Sequence, residues 1–304
     1  MLSDRKLLVT GLTGQIGHPV ARILAADNEV WGAARFTAEG SRQRAESIGV
    51  TPVTVDLETG DYGDLPDDFT HVVHLAVWMG PKPDHDRAVR ANAEATGLLM
   101  QHCRRAEGFL VASTNSVYRA NGDPNHRYAE GDPLGDPAMP FSPTYSMSKN
   151  AQEAVARTMA RALGLPTTIA RINASYGPNG GLPAYHGDAV AAGQTVHLRA
   201  PGPNAYSPIH EDDLGAQVAP LLDAASTPAT IVNWCGDEVV TAEAWCALFG
   251  EHLGVEPDLA YGDIPGAQPG SAGDPTRRLA LTGPCTVPWR KGMTDMLDAR
   301  TKGA

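Results

Sequence analysis

A short aliphatic run, Lys6 to Thr10 (KLLVT), passes directly into the glycine-spaced segment Thr10 to Gly17 (TGLTGQIG). A helical pattern follows from Gln15 to Asp27, with Ile16, Val20, Ile23 and Leu24 on one face. Strand-sized runs then recur at 29–33 (EVWGA), 52–55 (PVTV), 71–75 (HVVHL), 108–112 (GFLVA) and 167–172 (TTIARI), with long helical patterns at about 84–105 and 144–163. Strands separated by helices require right-handed crossovers and parallel pairing. The chain is therefore expected to be α/β, a Rossmann-type doubly wound parallel sheet. After Tyr176-Gly177-Pro178 the texture changes, with Gly, Pro, Asn and Tyr clustered over 176–208, helix-like segments near 211–224 and 241–253, and a loop-rich tail at 256–292. This predicts a dinucleotide-binding domain over 1–175 and a smaller substrate-binding region over 176–304, partly discontinuous and able to return elements to the main sheet.

Composition excludes several other classes. The 304 residues are 42% hydrophobic and 19% charged, enough apolar material for a buried core. A net charge of −11 disfavours nucleic acid or an anionic membrane as the main partner. The amino terminus enters a strand at once and no run approaches the ~18 apolar residues of a membrane span, so a cytoplasmic location is expected. Cys103, Cys235, Cys246 and Cys285 are widely spaced without a CxxC, the pattern of reduced structural thiols. No spacing resembles a metal site, and His71 and His74, flanking a strand, read as structural.

The glycines at 11, 14 and 17 lie where a strand turns into a helix. Gly11 suits the tight turn, Gly14 the approach of a pyrophosphate and Gly17 close helix–strand packing; Thr13, Gln15 and Ile16 complete the loop. Amides at the start of the helix favour an anionic diphosphate. The second strand ends Gly32-Ala33-Ala34-Arg35, so the acidic side chain that would bond a ribose diol is missing and a guanidinium follows. Arg35 can meet a 2′-phosphate, which predicts NADP(H) with NAD(H) possible. Asp56 and Leu57 after the third strand, and Leu75, Ala76 and Val77 after the fourth, are further cofactor-contact candidates, Asp56 being equally suited to cap a helix.

Tyr145 and Lys149 stand four apart (YSMSK) at the start of a predicted helix and so share a face. A free phenol has a pKa of about 10, and a neighbouring ammonium together with an oxidised nicotinamide favours its phenolate. Hydroxyls at Ser113, Thr114 and Ser116 close the fifth strand, the end where open α/β sheets carry their sites.

With these motifs in order, the chain resembles extended members of the short-chain dehydrogenase/reductase superfamily, in the NAD-dependent epimerase/dehydratase group. The resemblance runs through VVHLA (72–76), RANAEAT (90–96), STNSVY (113–118), ARINASYGP (170–178), SPIHEDDL (207–214), VNWCGDE (232–238) and WRKGM (289–293). It implies Thr114 as the oxygen anchor, Tyr145 as the acid/base, Lys149 as its activator and holder of the nicotinamide ribose, and Asn92 as a helix asparagine that orders the site. It also implies a homodimer through a four-helix bundle of the helices at 84–105 and 144–163.

The chain departs from that pattern in ways that bear on substrate. Dehydratases of the group carry acidic residues after the catalytic threonine; here Asn115 and Ser116 stand there. Asn204-Ala205-Tyr206-Ser207 fills the stretch where sugar-nucleotide enzymes often place a diphosphate-holding arginine, although Arg199 lies nearby in sequence. Trp78, Met79, Asn115, Asn173, Ser175, Tyr185 and His186 are candidates to line a pocket for a small-molecule substrate. The leading expectation is an NADP(H)-dependent oxidoreductase interconverting a secondary alcohol and a carbonyl. The alternative is a sugar-nucleotide epimerase that retains its cofactor, and a third reading is a dinucleotide-sensing regulator.

Overall fold

The computed structural model describes residues 2–302 apart from 140, 264 and 269. Strands β1 (Lys6–Thr10), β2 (Glu29–Ala34), β3 (Val50–Thr54), β4 (His71–His74), β5 (Gly108–Thr114) and β6 (Thr167–Ile172) alternate with helices α1 (Gly17–Leu24), α2 (Ser41–Ser47), α3 (His85–Ala88), α4 (Ala95–His102) and α5 (Tyr145–Leu163). Every ladder of the seven-stranded sheet is parallel, in the order β3-β2-β1-β4-β5-β6 and then β11 (Thr230–Trp234). The expected doubly wound sheet is present. Its order reverses between β1 and β4, which opens a crevice at the carboxyl ends of those strands.

Both faces of the sheet are covered, which explains why β1, β4, β5 and β6 read as continuous apolar runs rather than alternating ones. Leu7, Val9, Leu110 and Ala170 face a layer that includes Val20 and Leu24 of α1; Leu8, Val72, Phe109 and Ile169 face Leu99, Ala156 and Ala160 on the other side. Helix α5 ends at Gly164, whose φ of 64° closes the last turn. A buried ion pair locks α5 to the sheet. Glu153 accepts from Arg171 Nε at 2.9 Å and Nη2 at 2.7 Å and from Ser113 Oγ at 2.6 Å, and the guanidinium lies over the Tyr118 ring.

The long helix expected over 84–105 has an internal π-helical turn at Val89–Glu94 between α3 and α4. The rest of the chain holds β7 (Ser175–Tyr176), α6 (Leu182–Ala191), β8 (Val196–Arg199), β9 (Ala205–Tyr206), β10 (Ile209–His210), α7 (Glu211–Asp223), β12 (Val240–Thr241), α8 (Ala242–Leu253), β13 (Leu259–Gly262), α9 (Thr276–Thr282) and α10 (Trp289–Lys302). Residues of α6, α8 and α10, among them Ala184, Trp245, Phe249, Met293 and Leu297, form a separate apolar cluster. Strand β11 returns to pair with β6, and α7 packs on α1 beneath the main sheet. The 176–208 stretch, which its glycines and prolines mark as loop, carries α6. The 256–292 tail carries α9 and the start of α10, which the sequence did not mark because the apolar positions of α10 are sparse and sit among charges. Among the described residues no helix is long and apolar enough to cross a membrane, and all four cysteines are free thiols.

Candidate active site

The Gly-rich loop follows β1 as the spacing predicts. Gly11 has a φ of 71°, and a Cβ there would lie 2.7 Å from Ala76 N and 2.9 Å from Leu75 C, so the loop passes hard against the segment after β4. A Cβ on Gly17 would sit 2.1 Å from Gly11 O, which explains the close start of α1. Helix α1 has neither a side-chain cap nor an acidic residue in its first turn. His18 N already donates to Gly14 O and Pro19 has no N–H, so the capacity for an anion rests on the Gly17 amide and the loop amides just before it. A cavity of about 130 Å³ opens there, lined by Thr13, Gly14, Gln15, His18, Ser41, Arg44 and Asn179 among others. Burial and the charges of Arg22 and Arg44 hold His18 below its usual pKa, so Arg44 is the cation of this cavity. These donors fit the phosphates of a dinucleotide.

Around the cradle, Arg35 is exposed and its side chain has no hydrogen-bond or ion-pair partner among the described residues. Asp56 caps the short turn Leu57–Thr59 through Glu58 N at 3.1 Å, the alternative its sequence position allowed. Leu75 and Ala76 are partly buried beside Gly11, while Val77 and Met79 are exposed. Gln15 reaches across the cleft: its Nε2 donates to Ser175 Oγ at 3.2 Å, and Tyr185 Oη donates to its Oε1 at 3.1 Å. Ser175 and Tyr185 therefore stand at the cradle, linking it to the second half of the chain.

The other side chains converge at the carboxyl end of β5. Thr114 is buried, its Oγ1 accepting from Ser116 N at 3.2 Å and donating to Ser116 Oγ at 3.3 Å, and its hydroxyl is close enough to Tyr145, the first residue of α5, to influence the phenol. One turn on, Lys149 Nζ donates to Ala112 O at 2.7 Å and to Gln152 Oε1 at 2.8 Å. This corrects the expected electrostatics. Burial pushes the Tyr145 phenol above its ordinary value, and the influence opposing it is the Thr114 hydroxyl rather than the Lys149 charge. The lysine is itself desolvated, down to about 7 with Glu153 partly opposing the shift, and it is turned onto neutral oxygens.

Gln152 and His74 join Lys149 to the cradle. Thr96 spends its single proton on Asn92 O at 2.7 Å, so its Oγ1 can only accept from Gln152 Nε2 at 2.9 Å and His74 Nε2 at 2.8 Å. His74, whose burial holds its pKa at about 3, is thereby fixed as the neutral Nε2–H tautomer. Its Nδ1 accepts from Thr10 Oγ1 at 2.7 Å, and Thr10 accepts from Ala76 N at 3.2 Å. Two runs of hydrogen bonds, one starting at Ala76, against Gly11, and one at Lys149, thus converge on Thr96. Sequence reasoning left His74 as structural and passed over Gln152; the signal was its place three residues after Lys149 on one helix face.

The lowered Lys149 pKa has a consequence for stability. A lysine whose folded pKa lies below its unfolded one destabilises the fold most where both states would carry the charge, and the penalty is relieved as pH rises from about 7 towards the unfolded value. Lys149→Met is expected to melt progressively higher relative to wild type as pH falls from 10 to 7. A gap between the two melting curves that does not change with pH contradicts the buried, desolvated ammonium.

Four other candidates are held by contacts of their own. Asn92 sits in the π-helical turn and spends its amide on Trp78 N at 2.7 Å, Trp78 O at 3.0 Å and Ser148 Oγ at 2.9 Å, so it braces Trp78 against α5 next to Lys149. Asn173 ties Ser207 N and Ala174 N to its Oδ1 and reaches Ser271 O with its Nδ2, closing loops. His186 turns into the apolar cluster, where its Nδ1 accepts from Trp245 Nε1 at 3.0 Å. Trp78 lies under the Arg87 guanidinium, which itself pairs with Glu58. Asn115, by contrast, donates to Ser271 O at 2.7 Å while its Oδ1 is buried without a partner. No group of metal-ligating residues is present among the described residues.

Comparison with known proteins finds the same fold. UDP-glucuronate 4-epimerase 2 of Arabidopsis thaliana is 29% identical over 191 residues, 57% of this chain, and the match spans only 43% of that protein's own length. The crystal structure of a UDP-glucuronic acid 4-epimerase from Bacillus cereus, in complex with UDP-glucuronic acid and NAD, superposes with a TM-score of 0.84 at 20% identity, covering 98% of this chain and all of that one. A dTDP-glucose 4,6-dehydratase from Bacillus anthracis in complex with NAD gives 0.81 at 18% identity, over 98% and 97% of the two chains. The model of the NAD dependent epimerase/dehydratase family matches residues 7–224, most of the chain, and the chain belongs to that family.

Proposed function

We propose that the chain is an epimerase that inverts a secondary alcohol of a sugar nucleotide while keeping its nicotinamide dinucleotide bound. The observation that carries this is the grouping of Thr114 and Tyr145 at the end of β5, over a cradle suited to a diphosphate, with Asn115 and Ser116 where a dehydrating enzyme needs carboxylates. The relatedness to UDP-glucuronate 4-epimerases supports the same reading.

When bound, the dinucleotide supplies a hydride acceptor and donor. The chain's own residues manage the oxygen and its proton. Thr114 Oγ1 holds the substrate oxygen beside Tyr145 Oη. Tyr145 takes the hydroxyl proton as the alcohol becomes a carbonyl and returns it when the carbon is reduced from its other face. Gln152, held by Thr96, and Ala112 O fix Lys149 at the base of the site, from which it reaches the nicotinamide ribose. A phenol raised by burial rests protonated at neutral pH. The positive charge that lowers it before it can act as a base would come from the oxidised ring of the bound dinucleotide.

A second reading, a net NADP(H)-dependent oxidoreductase, is favoured by one feature: Arg35, exposed and unpartnered among the described residues, follows the apolar end of β2 where NAD(H) enzymes place a carboxylate. One experiment separates the two. UDP-glucuronate, UDP-glucose and UDP-N-acetylglucosamine are incubated with the purified protein, with and without added NAD(H) or NADP(H), while product configuration and cofactor absorbance are followed. The epimerase reading expects an inverted sugar with no net absorbance change. The oxidoreductase reading expects stoichiometric cofactor conversion, faster with NADP(H). An unchanged sugar and unchanged cofactor with all three substrates overturns the epimerase reading.

A further inference from the structure

Two sets of buried polar atoms without partners flank one loop beyond the reacting end of the site. The first is Asn115 Oδ1, one residue after Thr114. The second is the guanidinium of Arg199, whose Nε and Nη1 are both buried and unpartnered among the described residues. The path between them is continuous. Asn115 Nδ2 donates to Ser271 O, Ser271 N donates to Ala205 O at 2.8 Å, and the next residue, Asn204, is bonded to both the N–H and the carbonyl of Arg199. Arg199 ends β8 opposite Gly262 of β13, and its charge is felt at the hydroxyls of Tyr206 and Tyr128. Tyr128 stacks on Tyr118, four residues after Thr114.

The nearby carboxylate does not neutralise this cation. Glu243 is engaged by Asn204, whose N and Nδ2 donate to it at 3.0–3.2 Å, and it forms no ion pair with Arg199. Asn204 thus separates the two charges. A buried guanidinium with unmet donors is unfavourable unless a ligand completes it, and an oxyanion is the group its planar fork fits.

We infer that Arg199 is the anion-binding residue of the substrate pocket, taking a phosphate or carboxylate oxygen of a substrate whose other end presents a hydroxyl or N–H to Asn115 Oδ1. This rests on the reading of Thr114 and Tyr145 as the reacting end. It gives the chain an answer to the missing arginine of the 204–207 stretch, from a strand where a cation was not required by the fold. The substrate is therefore an anionic sugar derivative, its charge lying across the 270–273 loop from the carbon that reacts.

The test is a calorimetric titration of the NAD-loaded protein with pyrophosphate, UDP and D-glucuronate, in wild type, Arg199→Gln and Arg199→Lys, with melting curves for each. The expected result is saturable binding of at least one of these anions, weakened about tenfold or more in Arg199→Gln and partly restored in Arg199→Lys, with NAD affinity unchanged. Loss confined to UDP and pyrophosphate identifies a diphosphate, and loss confined to D-glucuronate a carboxylate. Melting of the unliganded Arg199→Gln protein at or above the wild-type temperature is expected, since the buried Nε and Nη1 of the arginine have no internal partner and its backbone bonds to Asn204 are kept. Equal binding in wild type and Arg199→Gln, the absence of saturable binding by all three anions, or a fall of several degrees in the unliganded Arg199→Gln protein overturns the inference. If the epimerase reading alone is wrong, anion binding still depends on Arg199 while the sugar nucleotides are not turned over.

Discussion

Tyr145→Phe is expected to lower turnover by about 10²–10⁴ while leaving dinucleotide affinity within roughly a factor of three. The substitution removes one hydroxyl from the first turn of α5 and leaves the ring in place. That hydroxyl lies under the influence of Thr114 and makes no bond to the Gly11–Gly17 loop, so the cradle does not depend on it. Burial raises the phenol and keeps the proton available for the reducing half of the cycle, while the oxidising half needs the charges around it to draw that proton off. The wild-type rate is accordingly expected to rise with pH along its acidic limb. Steady-state rates across pH, with fluorescence titration of NAD in both proteins, check this. Turnover within about threefold of wild type contradicts the role given to the phenol.

The largest effect on stability is expected at Arg171. Its guanidinium and the Glu153 carboxylate are almost fully buried, and Glu153 holds Ser113 of β5 as well as Arg171 of β6. Arg171→Met leaves a carboxylate in the interior with one hydroxyl for company, a loss of about 3–5 kcal/mol. Chemical denaturation measures it directly. Arg171→Met with Glu153→Leu removes both charges and is expected to recover most of the loss, because the cost of the single variant is the stranded charge rather than the missing attraction. A single variant within about 1 kcal/mol of wild type contradicts the account of this pair. Since Glu153 lies one turn after Lys149 on α5, the single variant is also expected to disturb the lysine.

Much of the fold was legible because its signals are local and periodic. Strands β1, β2, β4, β5 and β6 are continuous apolar runs, and covering by helices on both faces is what makes them so. Gly17 is set by its close contact with the Gly11 carbonyl six residues earlier, which spacing alone can express, whereas Gly11 owes its place to a positive φ and to Leu75 and Ala76 after the neighbouring strand. Helices α6 and α10 were hidden for a different reason. They bury their apolar residues against one another and α8, in a cluster assembled from distant stretches, and neither carries a strong stripe of its own.

The site divides along the same line. Tyr145 and Lys149 share one helix face and Thr114 ends a strand, so their grouping follows from the architecture. What Lys149 does with its charge could not be read that way, because Ala112 O and Gln152 approach it only in the folded chain, and the resulting desolvation overrides the neighbour-cation argument. Asn173 and His186 were plausible pocket residues by type and position, and Asn92 a residue that orders the site. Their hydrogen-bonding capacity is spent on loops and on Trp245, which only tertiary contacts reveal. Arg199 and Asn115 are the converse, polar groups that the fold leaves unsatisfied.

The most direct measurement is a crystal structure of the protein bound to NAD and a sugar nucleotide. The account predicts the diphosphate against the amides at the start of α1, and the nicotinamide ring facing the pocket with the sugar hydroxyl between Thr114 and Tyr145. A dinucleotide seated elsewhere, or a nicotinamide turned away from Tyr145, contradicts it.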